Sequence, residues 1–94
     1  MNTITGTNLL TISAEAGETY CIDYKSDYSV NILNQTDGII SVSTNADYAA
    51  DETSSECMKL TEDAFYYNFR SRLSDHLYIT SEGEGYIALV RTDR

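Results

Sequence analysis

Positive charge is what this chain is short of. Lysine and arginine together number six against fifteen aspartates and glutamates, a formal net charge of -9. Such a surface repels nucleic-acid phosphates and anionic membranes, so neither is an expected partner. Proline and tryptophan are absent. No apolar run approaches the length of a membrane span, and Met1 to Asn8 lacks the basic start of a secretory signal. Membrane insertion is therefore not expected. The simplest setting is synthesis in the cytoplasm, with incorporation into an assembly such as a virion as a later step.

Reactive side chains are scarce too. Cys21 and Cys57 set no disulfide framework; they pair only if their strands are neighbours, and a reducing compartment favours thiols. His76 is the sole histidine, so the cysteines cannot complete a closed zinc site with it. The five glycines spell neither a phosphate loop nor a dinucleotide fingerprint. Cys57, Ser71 and Asp75 offer partners to His76, but neighbours on a strand face opposite ways, which sets Asp75 against His76. Glu82 with Glu84, and Asp23 with Asp27, are carboxylates at turns, where acids are solvated rather than tuned for glycosidic chemistry. No catalytic residue and no cofactor are assigned, and the chain is not expected to be an enzyme. Asp47, Asp51 and Glu52 offer oxygens to a calcium ion, in an order unlike the helix-loop-helix calcium pattern.

What remains is rich in β-formers. Leu9 to Ser13 is a first short run, ended by Gly17. Thr19 to Tyr24 alternates, with Tyr20, Ile22 and Tyr24 on one face, the period of two that marks a half-buried strand. Lys25 to Asp27 turns the chain into Tyr28 to Leu33, where Tyr28, Val30 and Ile32 share a face. Asn34 to Gly38 is a turn cluster leading into Ile39 to Ser43, so these two runs read as a hairpin. Asn34-Gln35-Thr36 also fits the glycosylation acceptor pattern, which carries weight only in a secretory context.

Residues 44–56 hold four acids and read as a polar acidic surface loop. Met58 and Leu60 alternate; Phe65 to Arg70 is an aromatic strand; His76 to Thr80 alternates again. Glu82 to Gly85 is a tight turn, and Tyr86 to Arg91 is apolar on both faces, which marks a central strand or a subunit contact. Turn signals recur roughly every 8–12 residues. The expectation is a single all-β domain over residues 1–94, a small antiparallel β-sandwich, jelly-roll-like or similar, of seven or eight short strands.

Aromatic and charge placement point to binding. Phe65, Tyr67 and Phe69 are expected in the core, and Tyr20, Tyr24 and Tyr28 at the surface, where tyrosines anchor interfaces. Arg70, Arg72, Arg91 and Arg94 all fall in the last 25 residues of an acidic molecule. Copies of the chain would then meet acidic side to basic side, an arrangement that closes into a ring or trimer. Tyr24, Tyr28, Tyr78, Tyr86, Arg70, Arg72 and Arg91 are the expected contact residues.

His76-Leu77-Tyr78-Ile79-Thr80-Ser81-Glu82-Gly83-Glu84-Gly85-Tyr86-Ile87-Ala88-Leu89-Val90-Arg91 resembles the closing hairpin of small phage-encoded β-sandwich proteins of the virion. Asn34-Gln35-Thr36-Asp37-Gly38-Ile39-Ile40-Ser41-Val42-Ser43 resembles their turn into an apolar strand. The resemblance implies an auxiliary or adaptor component that decorates a capsid or joins a fibre, works as a homo-oligomer and contacts other virion proteins. It brings no active site. Two other roles fit the composition: a small carbohydrate-binding module, which needs an exposed aromatic platform, and an acidic inhibitor that mimics nucleic acid.

Overall fold

The computed structural model describes residues 1–45, 57–71 and 74–93. Nine strands run through them: β1 (Asn2–Thr5), β2 (Leu9–Ala14), β3 (Thr19–Asp23), β4 (Tyr28–Thr36), β5 (Ile40–Ser43), β6 (Met58–Leu60), β7 (Phe65–Ser71), β8 (His76–Ser81) and β9 (Gly85–Arg91). They form a five-stranded sheet in the order β1-β3-β8-β5-β6 and a four-stranded sheet in the order β2-β9-β4-β7. Every pairing is antiparallel except β1 with β3. With β1 set aside, two four-stranded sheets of this order and connectivity make a jelly roll. β1 is an addition at the sheet edge, unsignalled in the sequence because Asn2-Thr3-Ile4-Thr5 offers a single large apolar side chain.

Alternation builds the core. Ile12 and Ala14 of β2, Tyr20 and Ile22 of β3, Leu77 and Ile79 of β8, and Ile87 and Leu89 of β9 all point between the sheets. Val30, Ile32, Ile40 and Val42 join them at 0–1% exposure. Burial of one such aliphatic side chain is worth about 1.5–3 kcal/mol. β9 lies between β2 and β4, the central place expected from its two apolar faces.

The chain changes sheet at every link but one, β5 to β6. The expected hairpin of residues 28–33 with 39–43 therefore does not form. β4 continues through Asn34 to Thr36, and the turn then delivers the chain to the opposite sheet as β5. The run from His76 to Arg91 is likewise an arch between sheets and not a hairpin. Period-two alternation identifies which face of a strand is buried, but a hairpin and an arch bury the same face. The two arches instead bond to each other: Asp37 N–H donates to the Glu84 carbonyl at 3.0 Å, and Glu82 N–H to the Ile39 carbonyl at 2.9 Å.

Asn34 falls at an inward position and is fully buried. Its Nδ2 donates to the carbonyls of Gly38, Leu60 and Thr61 at 2.9–3.0 Å. Its Oδ1 accepts from Thr36 N–H at 3.0 Å and from Thr36 Oγ1 at 2.7 Å. The amide is thus enclosed, and in the folded chain the acceptor of the glycosylation pattern is closed to solvent.

In β7 the aromatic phase is reset by a bulge. Val30 pairs with Phe69 and Ile32 with Tyr66, so Tyr67 and Asn68 both lie opposite Asn31. Asn68 adopts φ 61°, and its N–H donates to Asn31 Oδ1 at 2.9 Å. Asparagine tolerates this left-handed backbone better than most residues. The consequence corrects the expected aromatic core. Phe69 packs partly against it, whereas Phe65 and Tyr67 are 57% and 74% exposed.

Candidate binding faces

The outward positions of β2, β9, β4 and β7 share one surface. Register places Thr11, Ala88, Leu33 and Phe65 in one row across the four strands. Leu9, Val90 and Asn31 form the next row, and Ser13, Tyr86 and Gln35 the one beyond. Leu9, Phe65, Tyr67, Tyr86 and Val90 are all large and substantially exposed. None of the fifteen acidic residues lies in these four strands. Arg70, exposed and paired with Ser29, is at the margin. An apolar, acid-free sheet face on a chain of charge -9 is a departure from the rest of its surface.

The five-stranded sheet turns the opposite kind of face outward. Thr3, Thr5, Cys21, Asp23, Lys59, His76, Tyr78 and Thr80 sit at its non-core positions. Thr19 and Thr80 share a 2.8 Å hydrogen bond across the β3–β8 pair. Cys21 is a buried thiol, raised in pKa chiefly by that burial, and no disulfide joins it to Cys57.

The expected contact residues divide accordingly. Tyr86 and Arg70 belong to the apolar face. Tyr78 lies on the other sheet, its ring stacked with that of His76 at 6.1 Å between centroids. Tyr24 and Tyr28 are corrected: they are 4% and 2% exposed, packed ring to ring at 4.7 Å, and cannot anchor a partner. The turn between them is charged, but both rings face inward from its two sides. Arg91 is corrected as well. Its side chain is 6% exposed; Nε donates to Asp93 Oδ1 at 2.8 Å, and a terminal nitrogen donates to Ser26 Oγ and the Asp27 carbonyl, both at 3.0 Å. The guanidinium carbon is 5.3 Å from the centroid of the Tyr24 ring. A guanidinium so occupied within the monomer leaves no charge to offer a neighbour. Arg72, Arg94, the calcium candidates Asp47, Asp51 and Glu52, and the acidic loop from residue 46 to 56 lie outside the described residues.

Asp75 and His76 do not face apart as expected. Asp75 precedes β8 and escapes its alternation, and its Oδ1 lies 2.5 Å from His76 Nδ1. Asp23, the register partner of His76 on β3, brings Oδ1 to 3.8 Å from the other ring nitrogen, Nε2. The three residues form a compact carboxylate-imidazole-carboxylate cluster at one end of the sheet.

Burial pushes the Tyr24 phenol up to about 12, with Arg91 opposing and Asp93 reinforcing the shift. Burial raises the Tyr28 phenol as well, against a hydrogen bond with Ser71. The hydrogen bond from Arg91 holds the Asp93 carboxyl below its usual value. A phenol raised in the folded state stabilises the fold fully below its unfolded value of about 10 and ceases to do so as pH rises through the folded one. An alkaline unfolding transition is therefore expected above pH ~10, with the part of the phenolate absorbance that Tyr24→Phe removes rising together with loss of β circular dichroism. Tyr24→Phe should move the transition to higher pH at little cost at neutral pH, because the Tyr24 hydroxyl has no hydrogen-bond partner among the described residues. Ionisation of that Tyr24 component before unfolding would refute the link.

No helix among the described residues is long and apolar enough to cross a membrane. The chain matches no protein-family model, no curated protein and no solved structure.

Proposed function

We propose that this domain is a non-enzymatic adaptor that pairs with a second copy of itself through the outer face of the β2-β9-β4-β7 sheet and, so paired, docks onto a larger protein assembly. The carrying observation is the coincidence of exposed apolar side chains with the absence of acids on that one face. Two molecules each bearing a charge of -9 repel one another over most of their surfaces. Repulsion is least where the four strands contribute no carboxylate. Leu9, Phe65, Tyr67, Tyr86 and Val90 supply the apolar area that drives contact there. The contact is face to face, in place of the acid-to-arginine contact that the sequence proposed.

A phage particle remains the favoured setting. Its support is the sequence resemblance and, by fold analogy, the frequency of jelly rolls among viral coat components. A carbohydrate-binding role is the second reading, favoured by the exposed rings of Phe65, Tyr67 and Tyr86 near the amides of Asn31 and Gln35. Glycan-array binding by the monomer, lost in Tyr67→Ala, would support it over self-association.

Light scattering after size exclusion, across concentration and salt, tests the main proposal. The expected species is a dimer or a multiple of it. Val90→Asp should weaken association at least ~10-fold, equivalent to about 1.4 kcal/mol, by burying an unpaired charge. Thr3→Asp on the polar sheet adds the same charge and should leave association nearly unchanged. A wild-type monomer at every concentration, or equal effects of the two substitutions, overturns the proposal.

A further inference from the structure

We propose that Asp23 and His76 hold a divalent transition-metal ion between them, with Asp75 as the positioning residue behind the imidazole. The site is separate from the apolar face and stands whether or not that face binds a second copy.

Hydrogen bonding assigns the ring. An ionised carboxylate only accepts, so His76 Nδ1–H donates to Asp75 Oδ1 at 2.5 Å. With Nδ1 engaged there, Nε2 is the ring nitrogen left to coordinate a metal. The group it faces is another acceptor, Asp23 Oδ1, at 3.8 Å. That distance is too long for a hydrogen bond. It is, however, a span that one ion bridges, with metal-nitrogen and metal-oxygen bonds of roughly 2.0–2.2 Å. Carboxylate, imidazole and metal in a line is the arrangement that fixes a histidine ligand's tautomer and raises its basicity.

The cluster is held from behind. Asp23 Oδ1 accepts the Lys25 N–H at 2.9 Å. The Asp75 carbonyl accepts the Tyr24 N–H at 2.8 Å, and the His76 carbonyl accepts from Tyr28 Oη at 2.8 Å. His76 N–H donates to Ser74 Oγ at 3.1 Å, and Tyr78 stacks on the ring. Buried Tyr28 thereby gains a role that its sequence position conceals: its hydroxyl anchors the backbone beneath the histidine. Imidazole with carboxylate selects zinc, nickel or copper over calcium and magnesium, whose preferred ligands are all oxygen. Two ligands from the chain leave the other coordination positions to solvent, and the net charge of -9 raises the local concentration of cations.

The sole histidine makes the test direct. Zinc is titrated into uniformly nitrogen-15-labelled protein while the two ring nitrogens are followed by NMR. The expected result is saturation at one zinc per chain, with Nε2 moving to a metal-bound position and Nδ1 remaining protonated. His76→Ala and Asp23→Asn should each lower zinc affinity at least ~10-fold by calorimetry. Asp75→Ala should weaken binding roughly 10- to 100-fold, and Asp75→Asn, whose amide oxygen still accepts the Nδ1 proton, should recover most of it. The unlabelled variants' folding is checked by circular dichroism, and the wild-type spectrum decides the matter if any of them unfolds. No response of Nε2 to millimolar zinc, a ring found protonated on both nitrogens throughout, or binding that survives His76→Ala overturns the proposal.

Discussion

Asn34→Ala is expected to cost on the order of 3–5 kcal/mol and to lower the melting temperature by more than about 12 °C. The reason is the number of groups that the amide serves. Deleting it removes the donor to three carbonyls and the acceptor of both Thr36 donors, all in a region closed to water. Its backbone adds two more bonds, from its N–H to the Ala64 carbonyl and from the Asp63 N–H to its own carbonyl. One residue thus ties β4 to both the following arch and the turn after β6. Asn34→Asp is nearly isosteric and should fare no better, because it sets a carboxylate against three carbonyl oxygens. Thermal and chemical denaturation of both variants, compared with exposed Gln35→Ala, would measure this. A change under about 1 kcal/mol for Asn34→Ala would show that the network contributes little.

Gly85→Ala should destabilise the fold by roughly 3 kcal/mol. Two causes add. Gly85 has φ 142°, a backbone conformation that L side chains rarely adopt. A methyl there would also stand 2.5 Å from the Gln35 carbonyl oxygen and 2.8 Å from Thr36 Cα. The oxygen belongs to the backbone of β4, paired to β9 in register, so it cannot swing aside. Gly17 provides the control, with φ 82° and open space around the position. Gly17→Ala should cost only the conformational part, about 1–2 kcal/mol. Equal losses at the two positions would mean that crowding against β4 is not what requires glycine.

Local patterns were legible where they concern one strand and its buried face. Ile22, Val30, Leu77 and Ile87 announce themselves by alternation, and the all-β sandwich follows from repetition of that pattern. Partner choice was not legible. The Asn34–Gly38 cluster has the composition of a hairpin turn, yet its side chains seal one sheet against the other. Phase within β7 was lost for a different reason: a single left-handed residue, Asn68, shifts everything before it, and an asparagine within an aromatic run does not by itself signal a bulge.

The candidate surfaces were only half visible. Residue type and position place Tyr86 and Arg70 on the apolar face, but they do not show that Tyr24 and Tyr28 turn inward from the two sides of a charged turn, or that an arginine of the carboxy-terminal cluster is tied within the monomer. Arg91 instead lies over Tyr24 and ties down the Ser26–Asp27 turn. The acid-free sheet needed the topology, since its four strands are scattered from residue 9 to residue 91 and only pairing assembles them. The signal was available in the sequence, however, as apolar residues at outward positions of β9. The Asp23–His76 pair likewise required register between strands more than fifty residues apart, and the adjacency of Asp75 to His76 pointed away from it.

The strand order also governs how the chain is born. β2 leaves the ribosome more than sixty residues before β9, its partner. β3 meets its antiparallel neighbour only when β8 emerges. Until β8 and β9 are made, Ile12, Tyr20 and Ile22 lack the antiparallel strands that pair with their own, and loop closure over such distances is slow. The two sheets can close only once β9 has emerged.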